Sequence, residues 1–184
     1  AHTSLCVDPI LRFGTAEQKK KYLPRMATGE LIGCLSLTEA GSGSDAGAAT
    51  CRAELKGDQW HINGSKIFVT NGKEAGVMVL IAVTDPDEPK RRLSAFIIEK
   101  PTSGLRIGKL EKKLGIKCSS TAEFVFEDCV VPRDALLGER GRGLGELAAV
   151  EAGVAAPGRF RGASAQPARR SIFGRARRVR TRCS

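Results

Sequence analysis

A mainly β fold, a barrel or sandwich, is predicted for this chain by short apolar runs at close spacing with no long helical pattern between them. A helix-start signal near the beginning places a short helical segment ahead of the strands, over residues 1–30. A change of composition near Gly143 closes the β region, expected over residues 31–144, and opens an irregular or disordered tail over residues 145–184. With 184 residues, 41% of them hydrophobic and 5% aromatic, one core of Val, Ile, Leu, Ala and Phe is expected, and a large multidomain enzyme is not.

The helical segment is anchored by Thr15 with Gln18 three residues on. This capping-box spacing starts a helix through Lys19, Lys20 and Lys21 towards Tyr22 and Leu23, which Pro24 is expected to interrupt. After the turn residues Thr28, Gly29 and Glu30, the apolar run 31–37 reads as a buried strand leading into the polar, glycine-rich loop 39–47. Trp60 and Ile62 precede Asn63-Gly64, and Ile67 and Val69 follow it, so a type I′ β-hairpin is expected there, with Asn71-Gly72 as a further turn. Strands are also expected over residues 77–83, 93–99 and 122–126, with Pro86 and Pro89 bracketing a charged loop and Ser103-Gly104 marking a turn.

The formal net charge is +10, and +7 of it falls in residues 145–184, which hold nine Arg, no Lys and two Glu. Three readings of this tail stand side by side. It is a solvated disordered extension; or an anchor for nucleic acid or an acidic membrane through Arg175, Arg177, Arg178, Arg180 and Arg182; or an out-of-frame stretch of a GC-rich gene, since Arg, Ala, Gly and Pro all have GC-rich codons. Six cysteines without a C-x-x-C pair, and two distant histidines, His2 and His61, point to reduced thiols and to no metal centre. No run reaches the roughly 20 apolar residues of a membrane span, and residues 1–8 lack the pattern of a secretory signal. The opening without Met, inside a helical pattern, places the expected start upstream.

The loop Gly41-Ser42-Gly43-Ser44-Asp45-Ala46-Gly47 reads G-x-G-x-x-x-G, which departs from the dinucleotide fingerprint and opens no βαβ unit. Its clustered backbone N–H groups and two hydroxyls suit an anionic or polar ligand, and a plain glycine turn is the competing reading.

Four ordered segments, Ile32 to Asp45, Asn63 to Asn71, Lys113 to Pro132 and Leu136 to Gly143, together resemble the acyl-CoA dehydrogenase family. Residues 32–45, Ile-Gly-Cys-Leu-Ser-Leu-Thr-Glu-Ala-Gly-Ser-Gly-Ser-Asp, are similar to its flavin-contacting signature, with Ala40 where the family commonly has Pro. Residues 63–71 resemble its hairpin and flavin strand; Lys113-Leu114-Gly115, Ser119-Ser120-Thr121 and residues 126–132 resemble its later strands; Leu136-Leu137-Gly138-Glu139 and Gly141-Arg142-Gly143 continue the match. Pro9-Ile10 and the stretch from Gly14 to Gly33 resemble the end of its N-terminal helical domain, so the resemblance covers roughly residues 1–144.

The resemblance implies FAD as cofactor and α,β-desaturation of an acyl-CoA, a Glu removing the α-proton while hydride passes to the flavin. It implies that Leu35, Ser36, Leu37, Thr38, Gly41, Gly43 and Ser44 lie along the flavin and its diphosphate, with Phe68, Val69 and Thr70 on the facing strand. Thr38 and Thr70 would hydrogen-bond the ring, Phe68 would stack where the family usually has Trp, and Ser44 would contact the CoA part of the substrate. The catalytic Glu belongs to a C-terminal helical domain, so no catalytic residue is assigned here, and Glu146 and Glu151 do not inherit that role. A truncated enzyme, with a frameshifted tail as one of its readings, is therefore expected, inactive by itself; intact, it would be a tetramer or dimer passing electrons to an electron-transfer flavoprotein, in a bacterial cytoplasm or the mitochondrial matrix. The resemblance argues against nucleic acid as partner. Rival readings are a non-catalytic β-domain with a basic nucleic-acid-binding tail, and an acyl-CoA oxidase or monooxygenase on the same fold.

Overall fold

The computed structural model describes residues 1–155. A helical turn over Thr3–Val7 leads into α1 (Asp8–Phe13) and α2 (Ala16–Ala27). The strands are β1 (Gly33–Ser36), β2 (Arg52–Lys56), β3 (Gln59–Thr70), β4 (Val77–Val83), β5 (Leu93–Glu99), β6 (Leu105–Leu110), β7 (Thr121–Pro132) and β8 (Leu136–Leu137), and α3 (Gly143–Ala155) follows. They form one mixed sheet in the order β6-β7-β3-β2-β4-β5-β8, with β1 paired in parallel to β4. The mainly β architecture behind a short helical segment is the one the sequence predicts.

Two apolar clusters account for the arrangement. Strand β4 is buried on both faces, and its even and odd residues go to different cores. Met78, Leu80 and Ala82 join Trp60, Ile62, Phe96, Ile98, Phe124 and Phe126 on the inner side, where Trp60 and Phe96 meet edge to face with centroids 5.1 Å apart. Val77, Val79 and Ile81 join Leu93, Ala95 and Ile97 on the outer side, under Cys6, Ile10, Tyr22 and Met26 of the helices and Leu147 of α3. A strand covered on both faces needs a continuous apolar run rather than alternation, which is why residues 77–83 read so plainly.

The capping box forms as predicted: Gln18 N–H donates to Thr15 Oγ1 at 3.2 Å, and Thr15 N–H to Gln18 Oε1 at 3.0 Å. Pro24 does not end the helix. Helix α2 runs through it to Ala27, because the next turn carries Met26 into the outer core, where it is 1% exposed, and that burial outweighs the hydrogen bond proline cannot donate. The hairpin expected at Asn63-Gly64 is absent as well: β3 continues from Gln59 to Thr70, and the tight connection lies earlier, at Gly57-Asp58 between β2 and β3. Gly64, at φ +142, serves close approach instead; a Cβ there would sit 2.8 Å from Cys51 Cα. The strand expected over 31–37 narrows to Gly33–Ser36, that over 122–126 extends to Thr121–Pro132, and β2 and β6 had no counterpart in the reading.

Helix α3 crosses the boundary expected between residues 144 and 145, with Leu147 and Val150 buried. The expectation for the Arg-rich segment beyond it lies outside the described residues. Cys6, Cys34, Cys51, Cys118 and Cys129 are free thiols. Among the described residues no helix is long and apolar enough to cross a membrane.

Candidate functional site

Strand β1 ends at Ser36, opposite Leu80 of β4, and the chain then leaves the sheet through Leu37 and Thr38. There it meets β3: the Ile67 N–H donates to Thr38 O at 2.8 Å. Just beyond, β3 loses register with β7 between Lys66 and Val69. In this bulge Phe68 takes φ 58 and stands 60% exposed, while Val69 turns back into the core and Thr70 emerges at the strand end. Positive φ in a bulky residue is uncommon and marks a place where the backbone re-aims a side chain. The main chain at Thr38 thus touches the strand that presents Phe68 and Thr70.

The loop after Thr38 is held shut at its base. Glu39 and Ser42 exchange backbone hydrogen bonds of 3.0 and 3.1 Å, and the Ser42 hydroxyl donates to Asp45 O at 2.7 Å. Its tip is open. A Cβ at Gly41 or Gly43 would meet no atom within 4 Å, and neither residue has a positive φ. Protein packing therefore does not require glycine at either position. Among the described residues, the N–H groups of Gly41, Gly43 and Ser44 donate to no protein acceptor. A bare stretch of backbone with free donors is suited to an anion.

Six of the residues singled out in the sequence lie on this surface: Thr38, Gly41, Gly43, Ser44, Phe68 and Thr70. The others support it from within. Leu35 and Leu37 are half-buried against the outer core. Val69 is buried, and Ser36 is wholly buried with no partner for its hydroxyl.

Sequence reasoning passed over the two residues that tie these parts together. Lys66 is 0% exposed, and its Nζ donates to Leu37 O and to Glu39 Oε1, both at 2.8 Å. Glu39 Oε1 also accepts from Cys51 N–H at 3.0 Å, and Oε2 accepts from the N–H and the hydroxyl of Thr50, each at 2.7 Å. Burial alone would raise the Glu39 carboxyl, but Lys66, Thr50 and the backbone donors outweigh it and hold the group down at about 2. Alternation along β3 was the available signal, since Trp60, Ile62 and Lys66 share one parity. At the far end of the loop Arg92 donates to Gly47 O at 2.8 Å.

Comparison with known proteins follows the same outline. Residues 34–129 match the acyl-CoA dehydrogenase middle domain and residues 1–30 the N-terminal domain of that family. The chain belongs to the acyl-CoA dehydrogenase family. It is 52% identical over 143 residues to "Acyl-CoA dehydrogenase, short-chain specific" of Clostridium acetobutylicum, a match that covers 78% of this chain and 38% of that relative. A chain in the structure described as the electron transferring flavoprotein of Acidaminococcus fermentans superposes with a TM-score of 0.80 at 49% identity, covering 82% of this chain and 40% of that one. An acyl-CoA dehydrogenase from Bacillus anthracis, complexed with FAD, superposes with a TM-score of 0.76 at 44% identity, over 82% of this chain and 26% of that one. The matched part of this chain thus spans well under half the length of the Clostridium protein.

Proposed function

We propose that this chain is the flavin- and thioester-binding part of an enzyme that desaturates short-chain acyl-CoA between the α and β carbons, with FAD as hydride acceptor. The observation that carries the reading is the junction of Thr38 with the β3 bulge, which sets two threonines and an exposed aromatic ring beside a glycine loop with free N–H donors. The donor set fits the cofactor. A diphosphate needs backbone N–H groups with no side chain in the way, as Gly41 and Gly43 offer. A flat ring system with a polar edge needs an apolar face, which Phe68 supplies, and hydroxyl donors, which Thr38 and Thr70 supply. When bound, FAD supplies the acceptor for two electrons that protein side chains lack.

The residues of this chain bind and orient. Thr38 and Thr70 donate to the ring edge, where donors favour the negative charge of the reduced state. Ser44, exposed on the loop, holds the CoA portion of the substrate. Glu39 is a carboxylate of the signature, but it is buried, saturated with donors and strongly acidic, so it does not take the α-proton. We place the base, as the family resemblance implies, in a helical region following the β-domain, and the 184-residue chain alone is expected to give no turnover. An electron-transfer flavoprotein as acceptor and a homo-oligomeric intact enzyme complete the proposal. The superposition on a chain from an electron transferring flavoprotein structure supports the former.

A hybrid tests the reading: residues 1–144 replace the matched segment of the Clostridium acetobutylicum relative. The expected hybrid purifies with FAD, and its visible flavin absorbance bleaches on adding a short-chain acyl-CoA under anaerobic conditions. A folded hybrid that holds FAD yet is bleached by no short-chain acyl-CoA would overturn it.

A further inference from the structure

Lysine is among the residues least often buried, and here one is wholly enclosed beside the proposed flavin surface. Enclosing it is costly unless the charge is paired and hydrogen-bonded. The two acceptors of Lys66 Nζ both lie on the segment that leaves β1, Leu37 O before Thr38 and Glu39 Oε1 after it. Glu39 is in turn held by Thr50 and Cys51, at the entry to β2. Thr38 therefore sits between two anchored neighbours, and the residue after Lys66 donates to its carbonyl. The next residue, Phe68, begins the positive-φ excursion that presents Thr70.

We propose that the Glu39–Lys66 pair is a positioning device that sets where Thr38 stands relative to Phe68 and Thr70, and through them the affinity for the flavin. The inference rests on the flavin reading for its second half only; the positional half concerns this chain alone. Neither residue touches the ligand surface, since both side chains are buried. Lys66→Met removes both Nζ hydrogen bonds, leaves the backbone bond from Ile67 to Thr38 as the tie between the Thr38 segment and β3, and leaves the Glu39 charge without its cation. Glu39→Gln keeps the shape and leaves the Lys66 charge unpaired. The double variant Glu39→Gln/Lys66→Met removes both charges, so stability recovers while the link between the two segments does not.

The test uses the isotope-labelled 184-residue chain and two readouts, amide hydrogen exchange of Ile67 and FAD affinity from flavin fluorescence. Each single variant, and the double variant, is expected to exchange the Ile67 amide about tenfold faster or more, with Val79 and Ile97 in β4 and β5 as unchanged references in the double variant. FAD affinity is expected to fall in parallel by about tenfold, and to stay low in the double variant even where its urea midpoint returns. Return of Ile67 protection together with stability in the double variant would overturn the proposal, because the pair would then merely hold up the fold. If the unaltered chain shows no FAD binding, the flavin reading loses its support, while Ile67 exchange still decides the positional half. Binding by the unaltered chain with equal affinity in Lys66→Met would overturn the link to the flavin and leave the family reading standing.

Discussion

Glu39 has a consequence for acid stability whose sign is set by its surroundings. Its carboxyl is held at about 2 in the folded chain against an ordinary value near 4.5, so folding favours the ionised form. That contribution is complete above pH 4.5 and is lost as pH falls towards 2, and its size is on the order of 3 kcal/mol. Glu74, Glu99 and Glu127 are lowered as well, so the acid slope of the whole chain is shared. Urea midpoints measured from pH 7 to 2.5 isolate the Glu39 part: the unaltered chain should lose stability below pH 4.5 more steeply than Glu39→Gln, and equal slopes would refute the assignment. Two glycines offer a second contrast. Gly64→Ala places a Cβ 2.8 Å from Cys51 Cα at φ +142 and should cost about 2–3 kcal/mol. Gly43→Ala meets nothing and should change the stability from urea unfolding by no more than about 0.5 kcal/mol, yet weaken FAD binding, because its methyl would enter the space left to the ligand. If both alanines cost the same stability, the open-loop argument fails.

Whole elements were legible where one physical requirement dominated. The runs 77–83 and 93–99 give strands β4 and β5 with those bounds, because burial on both faces favours apolar residues at nearly every position, Ser94 and the exposed Glu99 being the exceptions in β5. Thr15 and Gln18 declared the start of α2 through local hydrogen bonds that depend on nothing distant. Replacing Thr15 by Ala should therefore cost about 1 kcal/mol, seen as a lower urea midpoint, and no change would mean that packing alone sets this helix start. Elements that depend on partners were illegible. Strand β2, Arg52–Lys56, alternates charged and apolar residues but is too short to stand out, and edge strand β6 draws its order from β7. Asn63-Gly64 misled because its sequence is that of a turn, while its task is to let β2 approach β3 closely; the Asn63 side chain accepts from Asp128 N–H at 2.8 Å instead of capping a hairpin. Lys66 was missed for a related reason. Parity along β3 turned it inward, but the bulge that follows reverses parity, so that Val69 also faces in and only the three-dimensional register shows both.

At the scale of the molecule, the helices form one side of a core rather than an appendage to the sheet. The outer faces of β4 and β5 present Val77, Val79, Ile81, Leu93 and Ile97, each no more than 4% exposed, and their cover comes from Cys6, Ile10, Tyr22 and Met26 before the sheet and Leu147 after it. Polar ties hold this cover in register: Gln18 Nε2 donates to Asp134 O and Leu136 O at 2.8 and 3.0 Å, and the Tyr22 hydroxyl donates to Glu99 at 2.8 Å. Uncovering five such side chains forfeits about 2 kcal/mol each, a sum on the order of 10 kcal/mol that rivals the whole stability of an ordinary domain. Residues 31–144 expressed alone, the very span the sequence marks as a β-domain, should therefore fail to fold as an independent unit. The expected signs are strong binding of a hydrophobic dye, concentration-dependent aggregation and loss of a cooperative urea transition, each measured beside the 184-residue chain. The inner core, with its Trp60–Phe96 contact, has the same residues in both cases, so any difference reports the outer face. A monomeric, cooperatively unfolding 31–144 segment would show that the inner core suffices and that the helices serve the site rather than the fold.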